Sequence, residues 1–313
     1  MSQASGITLK GPGRTSTSQF RPDPATFSAG LRIGLAGTAA LAESAVAEWF
    51  RIRSFPFGRL AGEFGLEFCL TDLSAILHRS LRADDLIVTR TEPVGSRYFT
   101  VRLFAGADDE TPIASARVTV VMVRTPGVDA VLPEELDPLA VRTIDALGTA
   151  VTTHDPQFEA RDLESNGVPP GSWQLRRQVL AGDVGYRGRM RHVAHARFLE
   201  EALDRYLTDH GSPSATRVLN GRYLEVPRFR VRMLNDAIVG DTLVATIRLH
   251  QVLQDSLMDL RFDAHAVRGD RRIPVSTAIL VAGLGSADPD GFRLEPLDPC
   301  LRPEIAQSTA ESS

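Results

Sequence analysis

The chain repeats itself. Leu41, Ala42, Ala45, Val46, Trp49 and Phe50 recur at i, i+1, i+4, i+5, i+8 and i+9, and Phe198, Leu199, Ala202, Leu203, Tyr206 and Leu207 reproduce that spacing 157 residues later. Such spacing lays one apolar stripe along a helix. Downstream, DDLIVTRTEPV (84–94) matches GDTLVATIRLHQV (240–252) at an offset of 156, each a charged turn entering a strand. IASARVTVVMV (113–123) then matches IPVSTAILVAG (273–283) at an offset of 160. Three matched segments in one order and at nearly one offset define a unit: a long helix followed by several strands.

The text between the matched pieces is strand-like. LEFCLTDLSAIL and YLEVPRFRVRML precede the charged turns, SRYFTVRLFAG and DSLMDLRFDAHAV follow them, and all are rich in β-branched and alternating residues. One helix over four or five antiparallel strands is an α+β unit in which the helix covers one face of a curved sheet. It leaves an edge strand and an apolar flank uncovered, so such a unit is normally met as a dimer. A tandem copy supplies that dimer within one chain, as a pseudo-dimer; pairing again as a homodimer through exposed sheet edges stays open.

A length of 313 residues accommodates two such units. The expected boundaries are a flexible tail over 1–26, a first domain over 27–126, a linker over 127–171, a second domain over 172–286 and a C-terminal tail over 287–313. The tails are rich in Pro, Gly, Ser and charge. The linker holds five prolines and one short helix expected around 133–147. With 43% hydrophobic and 24% charged residues and a net charge of −4, nothing points to a nucleic-acid partner; Lys10 is the only lysine. Cys69 and Cys300 are too far apart in kind and place to suggest a disulfide framework, and the scattered histidines 78, 154, 210, 250 and 265 have no metal-ligand spacing. No apolar stretch has the length of a membrane span, and no apolar leader opens the chain, so no membrane partner and a cytoplasmic location are expected.

The run Arg191-His192-Val193-Ala194-His195-Ala196-Arg197-Phe198-Leu199-Glu200-Glu201-Ala202 is similar to the G-H-V-N-N-A-x-Y-L signature at the head of the central helix in hot-dog acyl thioesterases of the 4-hydroxybenzoyl-CoA thioesterase type. RYLEVPRFRVRMLNDAIVGDTLVATIRL resembles the same family's middle, where a Gly-Asp turn joins two long strands. In the first half, LAGTAALAESAVAEW resembles the H-G-G-x-x-x-A-L-A-D/E helix of the phenylacetate-type branch, without its first His and Gly. Together these segments cover about 210 residues in the order of double hot-dog proteins such as plant-type acyl-ACP thioesterases. The resemblance implies a double hot-dog fold and cleavage of an acyl thioester of coenzyme A or acyl carrier protein, without a bound cofactor or metal. It further implies a carboxylate near the helix start, acting as general base or nucleophile, and backbone N–H groups at the helix N-terminus that polarise the carbonyl. The family's catalytic aspartate stands four residues before the His, where this chain has Gly188, and its two asparagines are replaced by Ala194 and His195.

The candidate catalytic residues are therefore His192, His195, Asp183, Glu200 and Glu43. His192 and His195 stand one turn apart within about 30° of the centre of the apolar stripe, where an imidazole can act as a base near neutrality or merely satisfy backbone groups at a helix start. Asp183, the nearest upstream acid, can orient a histidine or replace the absent aspartate, or be a turn residue between glycines. Glu43 and Glu200 occupy equivalent positions about 110° from the stripe centre, on a flank where a carboxylate either enters the seam between the halves or is solvated. Glu201 lies further round and is expected to be exposed. Arg187, Arg189 and Arg191 are candidate substrate-binding residues, able to hold coenzyme A phosphates or a carrier protein's acidic helix, or to be an ordinary surface loop.

Hydrolysis of an acyl-ACP or acyl-CoA, in fatty-acid or polyketide metabolism, is the leading expectation. A dehydratase or hydratase on an acyl thioester is set back by the absence of a His-x-x-x-Gly-x-x-x-x-Pro pattern. A non-catalytic module that binds acyl groups or docks a carrier protein remains the alternative, favoured by Gly188 and Ala194. The residues do not choose between CoA and carrier protein, nor among acyl chains.

Overall fold

A computed structural model describes residues 15–21, 27–28, 32–79, 85–106, 109–144, 172–185, 187–288 and 291–301. The first half runs β1 (Ser16–Phe20), the short β2 (Phe27–Ser28) and β3 (Arg32–Ile33), α1 (Leu35–Arg51), α2 (Phe57–Phe64), β4 (Leu66–Leu77), β5 (Ile87–Pro93), β6 (Tyr98–Ala105), β7 (Ala114–Arg124) and β8 (Ala140–Val141). The second runs β9 (Trp173–Gln178), α3 (His192–Asp209), α4 (Ser214–Leu219), β10 (Arg222–Met233), β11 (Thr242–Leu253), β12 (Leu257–Arg268), β13 (Arg271–Asp288) and β14 (Gly291–Leu294). Among the described residues no helix is long and apolar enough to cross a membrane.

The long strands form one sheet in the order β1-β5-β6-β7-β4-β10-β13-β12-β11-β9. From the middle outward each half has the same succession, so the α+β repeat inferred from the stripes is present in the topology. The halves meet where β4 pairs antiparallel with β10, from Arg228 opposite Ile76 to Arg232 opposite Asp72. On this seam Arg230 holds Asp72 through Nε and Nη2, the latter 2.7 Å from Oδ2. All twelve stripe residues of α1 and α3 are buried, which makes the stripe the reason each helix docks on its sheet.

Three features depart from the expected boundaries. β1 lies inside the stretch expected to be a tail and pairs with β5, from Ser16 opposite Thr91 to Phe20 opposite Ile87. It matches β9, which pairs with β11 in the equivalent place. Its sequence, STSQF, is polar because an edge strand buries only part of one face, so hydropathy does not reveal it. At the other end β14 pairs with β13, Leu297 and Leu301 are buried, and Asp298 binds Ser212 and Arg222, so this part of the expected C-terminal tail is packed. In the expected linker the helix around 133–147 is only a 3-10 turn, Asp137–Leu139, followed by β8, which pairs in parallel with β7; residues 145–171 lie outside the described residues.

The short helices α2 and α4 extend the repeat, each starting directly after a proline, Pro56 and Pro213. Proline's fixed φ suits a helix start and costs no needed N–H there. Gly65 ends α2 with φ +60, and a Cβ there would stand 2.7 Å from Val128, so glycine is required on both conformational and steric grounds.

Candidate active site

Glu43 is the ninth residue of α1 and Glu200 the ninth of α3. The Glu200 carboxylate accepts hydrogen bonds from the backbone N–H groups of Ala36 and Leu35 in the first turn of α1. Glu43 in turn faces the charge of Arg191, the N-cap of α3. Each helix thus brings its ninth residue to the start of the other, which requires α1 and α3 to run antiparallel with their first halves together. The flank on which a single helical wheel places the glutamates is in fact covered by the partner helix. Burial accordingly pushes both carboxyls up to about 7, against the opposing influence of Arg191 on Glu43 and of the Ala36 and Leu35 amides on Glu200.

The two positions are equivalent in sequence and unequal in bonding. The amides at the start of α1 are occupied by Glu200. At the start of α3, Ala194 and His195 both donate their N–H to the Arg191 carbonyl, at 3.0 and 3.1 Å, whereas the His192 and Val193 N–H groups have no backbone partner among the described residues. Glu43 Oε2 is buried and accepts no hydrogen bond among the described residues. A carboxylate titrating near neutrality, two amides without a backbone partner among the described residues and the positive end of a helix dipole therefore come together at the start of α3.

His192 and His195 lie on the buried stripe as expected. Among the described residues neither ring nitrogen of His195 has a hydrogen bond, whereas the His192 ring lies beside the Val231 backbone without reaching full hydrogen-bond geometry. Burial lowers the His192 pKa to about 4, opposed by the Val231 backbone and Asp72; it lowers that of His195 to about 3, assisted by His192 and Arg177. Both imidazoles are neutral at pH 7.

Asp183 is engaged elsewhere than at the histidines. Its carboxylate accepts the Leu180 N–H at 3.0 Å and pairs with Arg177 at 3.0 Å, and its carbonyl accepts the Arg191 N–H. Between Asp183 and Arg191 the chain makes a narrow loop closed by the bridge Val184–Met190, with Gly188 at φ +74. A Cβ on Gly188 would meet nothing within 4 Å, so the position that holds the family's aspartate by count points into open space here. Arg189 pairs with Asp236 at 3.2 Å and with Glu67 of β4 at 3.6 Å, and Arg187 donates to the Gly65 carbonyl at 3.3 Å. These two arginines fasten the loop to the first half. Arg191 donates to the Gly182 carbonyl and is exposed, which leaves it as the basic residue facing both solvent and Glu43. Glu201 is partly exposed and pairs with Arg177 at 3.6 Å.

Cys69 lies near Glu43, with Glu67 and Asp236 near Cys69 in turn, and none of the three carried a sequence signal. Cys69 is close enough to feel the charges of Glu67, Asp236, Arg189 and Glu43; burial, with those carboxylates, raises its thiol far above the ordinary range, so it is no nucleophile. Among the described residues no group of three or more His, Cys, Asp or Glu side chains could hold a metal ion.

No protein-family model and no curated protein matches the chain. Solved structures do. A protein of Lactobacillus plantarum, provisionally assigned as an oleoyl thioesterase, superposes with a TM-score of 0.60 at 14% identity, over 88% of this chain and 98% of its own. An acyl-ACP thioesterase from Bacteroides thetaiotaomicron gives 0.56 at 14% identity, over 86% and 97%. The 12:0-ACP thioesterase from Umbellularia californica gives 0.60 at 8% identity, over 90% and 94%. The chain has the hot-dog fold of these thioesterases.

Proposed function

We propose that this protein hydrolyses an acyl thioester at a single working site at the start of α3, in a double hot-dog arrangement whose halves act as a pseudo-dimer. The observation that carries the reading is the Glu43 carboxylate, titrating near 7 and with its buried Oε2 unpartnered among the described residues, beside a helix end whose first two amides have no backbone partner there. Glu43 takes a proton from water as the water oxygen bonds to the thioester carbon. The carbonyl electrons move to oxygen, where the His192 and Val193 N–H groups and the α3 dipole stabilise the negative charge. The tetrahedral intermediate then collapses with cleavage of the C–S bond, and the leaving thiolate takes the proton from Glu43. General-base help of this kind contributes roughly 10²–10⁴-fold, and a thioester needs less activation than an amide. Arg191 is placed to attract the phosphates of coenzyme A or of a carrier protein's prosthetic arm. Fold neighbours named as acyl-ACP thioesterases favour an acyl-ACP or acyl-CoA substrate, and hence a role in fatty-acid or polyketide metabolism.

Glu200 is a helix cap in this reading, because the amides it would need for catalysis are bound to its own carboxylate. The test is thiol release from short, medium and long acyl-CoA and acyl-ACP substrates. Glu43→Gln is expected to lower turnover about 10²–10⁴-fold, and Glu200→Gln to change it only a few-fold. The reading fails if the wild-type protein releases no more thiol than Glu43→Gln on every substrate. A loss confined to Glu200→Gln would move the working site to the start of α1.

A further inference from the structure

We propose that His192 and His195 are the acyl-recognition residues of this site, and that they select a thioester whose acyl group carries a keto or hydroxyl oxygen near the reacting carbonyl over a saturated chain. The inference rests on the hydrolase reading and adds a substrate class to it.

Both side chains project from the first turn of α3, the turn whose amides would hold the carbonyl oxygen. His192 is 5% exposed and His195 1% exposed, yet among the described residues His195 has no hydrogen bond at either ring nitrogen, and His192 has only the Val231 backbone beside it, short of full hydrogen-bond geometry. The fold does not demand polar groups there. In the first half the equivalent positions are Leu35, which has no polar group, and Thr38, whose hydroxyl donates to the Gly34 carbonyl at 2.9 Å. An unmet buried polar group is costly, and that cost is relieved when a ligand supplies the missing partner.

The chemistry of the missing partner follows from the state of the rings. As neutral imidazoles each offers one N–H donor and one lone pair, which suits a hydroxyl or a keto oxygen. The charged groups around them are Asp72, which is paired with Arg230, and Arg177, which is paired with Asp183 and Glu201. Among the described residues no unpaired charge faces the rings, so a charged acyl group finds no counter-ion there. Residues three apart on a helix have Cβ atoms about 5–6 Å from each other, so the pair can engage one oxygen or two along an acyl chain.

Matched decanoyl, 3-oxodecanoyl and 3-hydroxydecanoyl thioesters of coenzyme A test the proposal through kcat/KM. The oxygenated substrates are expected to exceed decanoyl by at least about tenfold, because a site built around unpaired polar groups discriminates against a ligand that leaves them unmet. His192→Leu and His195→Thr, which install the residues of the equivalent positions in the first half, are each expected to lower that ratio about 10–100-fold. Equal or faster hydrolysis of decanoyl-CoA by the wild-type protein overturns the proposal, as does an unchanged ratio in both folded variants. If no thioester is hydrolysed, the hydrolase reading is lost, and binding of amide analogues to the wild-type protein decides the inference separately. Tighter binding of the 3-oxo analogue than of the saturated one supports acyl recognition, and equal binding overturns it.

Discussion

Glu43 and Glu200 share residue type, helix position and burial, and differ in what their oxygens meet. Both hold a proton up to about pH 7 in the folded protein, against an ordinary value of 4.5. Between those values the folded state binds more protons than the unfolded one, so the stability from this source is complete below about pH 4.5 and is lost as pH rises through 7. The histidines act in the opposite sense. Their folded values of about 4 and 3 lie below the ordinary 6.5, so their contribution is complete above 6.5 and is lost as pH falls towards those values. The two effects oppose each other between 4.5 and 6.5, and above 6.5 the glutamates act alone. Urea unfolding is therefore expected to show lower stability at pH 8 than at pH 6.5. Glu200→Gln should remove much of that fall and gain on the order of 3 kcal/mol at pH 8. Glu43→Gln should also be more stable at pH 8 while losing turnover, as befits a group that is held for chemistry at a cost to the fold. With Glu43 as base, kcat/KM should rise with pH to a plateau above about 7; a profile flat from pH 5 to 8 would exclude it from that role.

At the scale of elements, the paired helices α1 and α3 do most of the positioning. They pack against each other, and each carries small buried residues, Ala39 and Ala42 in α1 and Ala196 and Ala202 in α3; the pairing brings Glu200 within reach of the Ala36 amide. Large apolar side chains then set the depth of each helix on its sheet: Phe198 is fully buried, with the Arg177 guanidinium 5.4 Å from its ring centroid. Phe198→Ala is expected to cost about 3–5 kcal/mol by leaving a cavity, read as a lower denaturation midpoint with an unchanged slope. Ala42→Leu is expected to cost about 1–3 kcal/mol by overpacking beneath α1. Long elements of this kind were legible because their stripes persist over several turns. The eight-residue α2, the six-residue α4 and the edge strand β1 were not, because short or half-exposed elements carry too few apolar positions to show a period.

Across the whole molecule the two halves are one sheet, joined at β4 and β10. The largely buried pair Asp72–Arg230 stands on this seam, with side chains 10% and 21% exposed. Removing one partner strands a buried charge, so Asp72→Ala is expected to destabilise by roughly 3 kcal/mol or more, whereas replacing both Asp72 and Arg230 by leucine should recover much of the loss. A double-mutant cycle in denaturant checks this; additive losses would mean that the pair does not couple the halves. The loop before α3 adds a second connection, since Arg189 reaches Glu67 of the first half and Asp236 of the second. The proposed site is thus assembled from both halves: the carboxylate from α1, the amides and imidazoles from α3, and the wall from β4.

The sequence by itself determined the repeat, the two buried stripes, the α+β unit and the short list of polar residues at the helix starts. Those features are local or periodic, and the burial of an apolar face follows from its pattern. Only the tertiary structure decided among the candidates. Asp183 is near His192 in sequence and is held by Arg177 and Leu180 instead. Glu43 and Glu200 are indistinguishable on a helical wheel, and their difference arises from backbone amides supplied by the opposite helix, more than 150 residues away along the chain. Whether a buried carboxylate is satisfied or left available depends on donors brought to it by packing, and no pattern within its own helix encodes that.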